Sequence, residues 1–320
     1  MIHWTTTLGA VLSVFGVIAV GGLIRKLEWL SSEADRSLLQ VIIRVLMPCL
    51  AFSVVTSQEG RGLRGMELVY PPLVGVGTIL IGFVVAALAA RYLGRAMGLH
   101  DDRARRTFAL VVGVYNYGYI PIPLVKLLFD DATLGVLLLH NVGVELALWT
   151  AGVMLLSGGL ERGWWRNLIS PPAIAILLGV FCNYTGLSDR VPDALMSGVQ
   201  LLGDAAIPMG LLIVGATMAD HWQSAGLHRG GAVMMGGSVL RLAVLPLVFL
   251  MIAYLCPFSP DLKRVMVVEA AMPAAVFPIV MARHYHGDPS TALRVVVATS
   301  VIGLFTLPLW IRWGLLWVMP

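Results

Sequence analysis

Charge is scarce in this sequence. Only 12% of its 320 residues are charged and 58% are hydrophobic, with a mean hydropathy of +0.85. Soluble domains carry about a quarter charged residues, so this chain reads as an all-α integral membrane protein. Cysteine is nearly absent. Cys49, Cys182 and Cys256 fall in or beside apolar segments without pair spacing, which excludes a disulfide frame and leaves them as small core residues. A glycine-rich phosphate loop, a GxGxxG turn and an HExxH helix are all missing, and no nucleophile stands with a base, so no enzyme class is indicated. His284 and His286 flank a loop and are too few for a metal site. No basic run is interleaved with aromatics, which argues against a nucleic-acid partner, and the net charge of +4 is small. A basic leader segment is lacking too: Arg25 and Lys26 follow the first apolar stretch, which is therefore expected to remain as a membrane span.

What is present is a series of windows of about 20 apolar residues, each long enough to cross a bilayer. Ten can be placed, near 5–24, 37–57, 68–90, 107–129, 132–156, 168–187, 193–219, 231–255, 263–284 and 291–316. The loops between them are short, the largest running from Arg91 to Arg106. Basic residues are unevenly shared between the two sides. Odd-numbered spans are followed by Arg25, Lys26, Arg36, Arg91, Arg95, Arg103, Arg105, Arg106, Arg162, Arg166, Arg229 and Arg283; even-numbered spans only by Arg61, Arg64, Arg190, Lys263 and Arg264. The richer side is predicted to be cytoplasmic, which puts both termini outside.

The most telling segment is GVYNYGYIPIPLVK, from Gly113 to Lys126, inside the fourth window. Pro121 and Pro123 each remove a backbone donor and crowd the carbonyl four residues back. Lipid leaves no partner for an open backbone, so such a break is tolerated only where it is buried in protein or lines a cavity, and secondary transporters build their sites this way. A structural kink is the plainer alternative. The ninth window carries a second break, at Pro273 and Pro278. These prolines lie 152 and 155 residues after Pro121 and Pro123, and Asp204-x3-Pro208 in the seventh window follows Arg44-x3-Pro48 in the second by 160. Two five-span halves, 1–160 and 161–320, would then be inverted repeats, because an odd number of spans turns the second half upside down. Half-helix ends meeting at one point would attract anions at their N-termini and cations at their C-termini.

Ionised groups near the bilayer centre cost roughly 2.5–3.5 kcal/mol each, so every one needs a partner or a task. Glu269, four residues before Pro273, reads as a cation ligand or proton carrier, or else as the partner of Arg241. Glu145 shares a polar stripe with His140 and Asn141, where it would help hold a cation or lock the bundle through an ion pair. Asn116 can both donate and accept, suiting a carboxylate or sodium, and can equally cap the freed backbone. Tyr115, Tyr117 and Tyr119 offer hydroxyl donors and ring faces at mid-span. Pro121, Met272 and Pro273 frame the breaks and count as substrate-binding positions. Arg241 is too deep to snorkel and is the best single cation for an anionic substrate, or a partner for Glu145 or Glu269. Lys126, Arg44 and Asp204 are assigned to structure, Lys126 by snorkelling.

The segments GGLIRKLEWLSSEADRSLLQVIIRVLMPCLAF, GVYNYGYIPIPLVKLLF, LGDAAIPMGLLIVGATMAD and EAAMPAAVFPIVMARHYHGD resemble, in this order, the auxin efflux carrier family. That family includes plant auxin exporters and bacterial permeases associated with small dicarboxylates such as malate and malonate. The resemblance implies ten helices in two inverted repeats, with spans 1, 2, 6 and 7 as scaffold. Spans 3–5 and 8–10 would form a transport domain in which broken helices 4 and 9 cross. It also implies elevator-type alternating access, a homodimer in the plasma (inner) membrane, and an architecture shared with the bile-acid/sodium symporters. Plant exporters place an Asn-Pro element in span 9 where this chain has Glu269-Ala-Ala-Met272-Pro273. That glutamate is similar in placement to one that helps bind sodium in the bile-acid symporters. The expected activity is secondary transport of a small mono- or dicarboxylate, with no cofactor beyond Na+ or H+ as coupling ion. Symport with Glu269 as coupling residue is the first alternative. A membrane-embedded ligand sensor is the alternative of another class, although sensors of this type usually carry a soluble domain and the windows leave no room for one.

Overall fold

In the computed structural model, residues 4–57, 65–157, 170–224 and 230–319 are described, and among them the chain is helical throughout, with no strand. The basic residues Arg61, Arg64, Arg162, Arg166 and Arg229 and the expected boundary at 160/161 lie outside the described residues. Among the described residues, seven helices are long and apolar enough to cross a membrane: α1 (Trp4–Lys26), α2 (Ser32–Thr56), α3 (Met66–Leu93), α6 (Asp131–Ser157), α8 (Asp193–Ser224), α9 (Gly231–Leu255) and α12 (Pro289–Val318). A shorter apolar helix, α7, spans Pro171–Thr185. The fourth and ninth windows are each split in two. Helices α4 (Asp102–Gly113) and α5 (Pro121–Leu128) fill the first; α10 (Pro260–Ala271) and α11 (Phe277–His284) fill the second.

Helix ends run beyond the apolar windows because polar caps set them. Ser31, Asp101, Ser259 and Asp288 each accept a backbone N–H of the following first turn, satisfying donors the helix itself leaves open. The expected loop from Arg91 to Arg106 therefore shrinks to residues 94–101. Arg91, Arg103, Arg105 and Arg106 stand on helices instead, as do Arg25, Lys26, Arg36, Lys263, Arg264 and Arg283. Proline interrupts the regular ladder without breaking it in α2 and α9, where π-helical segments, Ile42–Leu46 and Leu240–Val244, precede Pro48 and Pro246. In α9 the carbonyl that Pro246 leaves open, on Leu242, accepts the indole N–H of Trp310 at 2.7 Å.

Burial is graded from outside to inside. About a third of the apolar window of α1 and of α2 is buried, against 67% for α6 and 61% for α12. Large side chains such as Leu12, Leu177, Leu201 and Phe305 are left open on the flanks, as expected where lipid covers them. The most enclosed backbone belongs to the split spans: Thr107–Tyr115 and Val265–Ala271 are buried without interruption. Helices α1, α2, α7 and α8 pack mainly on one another, as do α3–α6 with α9–α12, and the two groups touch where α5 and α12 lie on α1 and where α6 lies on α2.

Two ionic ties fasten the ends. Arg25 pairs with Asp35 at 2.5 Å and Asp220 at 3.3 Å, joining α1, α2 and α8. Arg264 pairs with Asp261 at 2.8 Å and with Asp130 at 3.4 Å, joining α10 to the turn before α6. Burial by itself would raise the Asp130 carboxyl, but hydrogen bonds from Thr133 and the charge of Arg264 outweigh it and hold it below the usual range.

Helices α3 and α6 approach through small residues. A Cβ at Gly75 would strike the His140 backbone, and one at Gly143 the Pro72 backbone, whereas one at Gly77 would meet nothing. Gly143→Ala is expected to destabilise the protein by about 1–3 kcal/mol through overpacking against backbone that cannot give way. Gly77→Ala should be neutral. Thermal unfolding of both variants in detergent checks this, and equal midpoints would contradict the close approach.

Candidate functional site

The two breaks lie against each other. After Gly113 the chain turns from helix to extended backbone at Val114, and after Ala271 it does the same at Met272. Tyr115 and Ala274 then form an isolated antiparallel bridge. The Asn116 N–H donates to the Pro273 carbonyl at 2.8 Å, and the Ala275 N–H donates to the Val114 carbonyl at 2.9 Å. Each unwound segment thus supplies part of what the other lost by leaving the helix. Helix α11 packs on α4 and α10 on α5, so the halves of the two spans are interleaved.

Side chains from neighbouring helices satisfy much of the remaining backbone. The Tyr117 carbonyl, crowded out of the ladder by Pro121, accepts from Asn141 Nδ2 at 2.6 Å. Arg241 donates from Nε to the Met272 carbonyl at 3.1 Å and from Nη2 to the Ala270 carbonyl at 3.2 Å. Its guanidinium lies over the rings of Tyr115 and Phe249, at 5.2 and 5.4 Å from their centroids. A cation on the last carbonyls of a helix is favoured by the dipole as well as by the hydrogen bonds. Thr299 Oγ1 accepts the Ala274 N–H at 3.2 Å, and Asn116 Oδ1 accepts the Ile120 N–H at 3.4 Å, at the start of α5.

Positions predicted together from sequence separate into several settings. Tyr115 is fully buried, with its hydroxyl 2.7 Å from Thr78 Oγ1 and its ring near His140 and Phe249. Tyr117 and Tyr119 are half-buried, and the Tyr119 ring lies where a Cβ on Gly210 of α8 would stand. Asn116 is buried with its backbone on Pro273 and its side chain at the head of α5, which begins at Pro121. Met272 and Pro273 contribute their carbonyls. On α6, Asn141 reaches the break, while Glu145, one turn further along, accepts from Ser170 Oγ at 3.0 Å at the head of α7.

Glu269 is the exception. It is 2% exposed, and neither carboxylate oxygen has a hydrogen-bond partner among the described residues. An ion pair with Arg241, one of the sequence readings, is not formed within 4 Å among the described residues, because the guanidinium is turned to the carbonyls of Ala270 and Met272. Both ring nitrogens of His140, Oδ1 of Asn141 and Nη1 of Arg241 are likewise buried without partners among the described residues. Buried polar atoms are normally satisfied, so each of these groups stands out as a candidate for a further partner.

Sequence reasoning missed Thr78, Thr299 and Phe249, because a threonine or phenylalanine in an apolar helix carries no positional signal. It also placed Lys126 as a snorkelling residue, whereas its Nζ lies 2.5 Å from Asp204 Oδ1 on α8. Arg44 is exposed on α2. No group of three or more His, Cys, Asp or Glu that could hold a metal occurs among the described residues.

The sequence model of the family described as membrane transport protein matches residues 6–163 and 159–311. The chain is 27% identical over 305 residues to an uncharacterized transporter of Methanothermobacter thermautotrophicus, covering 94% of this chain and 96% of the other. It is 21% identical, over the same shares, to an uncharacterized transporter of Methanocaldococcus jannaschii. Auxin efflux carrier component 8 of Arabidopsis thaliana is 26% identical over 149 residues, 46% of this chain and 40% of the plant protein. With these matches beside a helical fold of apolar spans, the chain belongs to the auxin efflux carrier family of membrane transport proteins.

Proposed function

We propose that this protein is a secondary transporter of a small organic anion, a mono- or dicarboxylate. The observation that carries the reading is the pair of unwound segments, hydrogen-bonded to each other within the most buried part of the chain. Irregular backbone at that depth is tolerated in a membrane only where it is enclosed or lines a cavity. Two half-helices, α5 and α11, begin beside it, and the positive ends of their dipoles favour a carboxylate. Asn116 and the half-buried Tyr117 and Tyr119 supply further polar contacts. In this reading the chain has ten spans in two inverted repeats, α1, α2, α7 and α8 form the scaffold, and the other helices move against it as an elevator. The protein works as a homodimer in the plasma (inner) membrane, with its termini outside the cytoplasm.

The bare carboxyl of Glu269 favours a second reading, in which transport is coupled to Na+ or H+. A buried ionised carboxylate without partners is costly, so the group is either protonated or awaits a cation. Either would also remove the repulsion between Glu269 and an anionic substrate. Glu145 and Asn141 on α6 would supply further oxygen ligands in this scheme.

Two outcomes are expected. Asn116→Ala, which leaves the backbone bond to Pro273 intact, should lower uptake of the transported acid into proteoliposomes at least tenfold while the unfolding temperature stays within a few degrees. Undiminished uptake, across a panel of mono- and dicarboxylates, would remove Asn116 from the site. Glu269→Gln should abolish the dependence of uptake on a sodium gradient or on pH while leaving weaker, uncoupled binding. A wild-type protein insensitive to both gradients would end the coupling reading.

A further inference from the structure

Helix α12 carries two stripes of side chains that meet at one arginine. Thr306, Leu309, Trp310 and Trp313 follow the i, i+3, i+4, i+7 spacing of one helix face; Arg312, Leu315, Leu316 and the cap residue Met319 repeat that spacing on another. Each stripe lines a cleft. The first, of about 710 Å³, is completed by Trp4 of α1 and Leu242 of α9. The second, of about 550 Å³, is completed by Thr7 of α1, Leu127 and Leu128 of α5, Phe129, Asp130 and Arg264 of α10. Arg312 lines both, so its side chain stands between them. The level is that of the helix ends: Arg312 lies six residues before Val318, where α12 stops, and Trp4 and Leu128 stand at the ends of α1 and α5. Four of the nine tryptophans, Trp4, Trp310, Trp313 and Trp317, belong to these ends, and Trp317 stacks on Tyr254 in the last turn of α9. Such a belt is expected where hydrocarbon gives way to headgroups. From there the first cleft runs inward, to Thr306, roughly 9 Å deeper along α12 at 1.5 Å per residue, and to Leu242, midway along α9.

We propose that the seam between α1 and α12 binds an anionic phospholipid, its phosphate on Arg312 and one acyl chain in the cleft along Trp310 and Trp313. Among the described residues Arg312 forms no ion pair, and its guanidinium lies 5.5 Å from the centroid of the Trp4 ring. Arg264, by contrast, is held by Asp261 and Asp130. Arg312 is thus the cation with charge to share, and a guanidinium matches phosphate oxygens with two parallel N–H groups. Leu309 and Trp313 are 57% and 62% exposed, so the first cleft opens onto the surface that lipid covers. A soluble anion would meet Arg312 and leave the tryptophan stripe uncovered. A neutral hydrocarbon would cover the stripe and desolvate the arginine without compensation. A lipid with an anionic head answers both demands, and hydroxyls of that head find partners in the second cleft at Asp130 and Thr7. None of the residues lining either cleft belongs to the two breaks, so the proposal does not depend on what the protein transports. Helices α1 and α12 belong to different packing groups, and a lipid lodged between them holds the groups together along this seam.

The test titrates the full chain in detergent with phosphatidylglycerol, with phosphatidylcholine of the same acyl chains, or with glycerol phosphate. Thermal unfolding and native mass spectrometry are the readouts. Phosphatidylglycerol should raise the unfolding temperature several degrees more than phosphatidylcholine, because a ligand of the folded state stabilises it, and should be retained as a bound lipid. Glycerol phosphate should do neither. Arg312→Gln should lose the difference between the two lipids while unfolding at the wild-type temperature without lipid. Arg312→Lys should keep most of the difference, and Arg44→Gln, which removes an exposed arginine from α2, should keep all of it. Trp313→Ala should weaken retention of phosphatidylglycerol severalfold. An equal response of the wild type to both lipids, or an undiminished difference in Arg312→Gln, would overturn the proposal. Glycerol phosphate acting as well as the lipid would make this a site for a free anion and overturn it too. So would a dimer that Arg312→Gln dissociates with lipid retention unchanged, since the face would then join two copies of the chain. Should Arg312→Gln fail to fold, Trp313→Ala set against Arg44→Gln decides: equal retention of phosphatidylglycerol in these two overturns the site.

Discussion

Two backbone hydrogen bonds, Asn116 to Pro273 and Ala275 to Val114, are what the rest of this structure depends on. A membrane helix is stable because every peptide group finds its partner within the same segment. A chain that unwinds at depth forfeits that arrangement and has to recover it elsewhere. Here two unwound segments recover part of it from each other. Neither break is viable without its counterpart, and so residues 157–161 positions apart in sequence have to arrive at the same point. The uninterrupted burial of Thr107–Gly113 in α4 and Val265–Ala271 in α10 follows from this need, since the pairing tolerates neither lipid nor free water around it.

What the pairing leaves open is closed by side chains whose identities are otherwise puzzling. An arginine ten residues into an apolar helix is expensive unless it has acceptors, and the carbonyls of Ala270 and Met272 are such acceptors. Asn141 does the same for the carbonyl displaced by Pro121, and Trp310 for the one displaced by Pro246. Prolines that disrupt helices and polar residues that look misplaced in apolar ones are thus two sides of a single accounting. The balance is not complete, however. Glu269, His140, one nitrogen of Arg241 and one oxygen of Asn141 remain unsatisfied among the described residues.

Charge placement divides along the same line. Arg25 with Asp35 and Asp220, and Arg264 with Asp261 and Asp130, lie at helix ends and fasten loops. Lys126, in the last turn of α5, and Asp204 on α8 bridge the two groups of helices. Exposed ion pairs of this kind add only about 0–1 kcal/mol of stability.

Composition, window length and proline position by themselves determined that this chain is a helical membrane protein with interruptions near residues 117–123 and 272–278. These are local properties: an apolar run of a given length must cross lipid, and a proline removes a ladder donor wherever it stands. Helices capped by Ser31 and Asp101 run further into charged sequence than hydropathy suggested. Partnership was not legible. Arg241 read equally well as a substrate cation or as the mate of Glu269. Lys126 and Asp204 sit 78 residues apart, with nothing in either neighbourhood to link them. Which polar group meets which is decided by packing between helices, because at membrane depth a side chain binds whatever unsatisfied group the tertiary arrangement brings within 3 Å, and sequence spacing reports only what lies on its own helix.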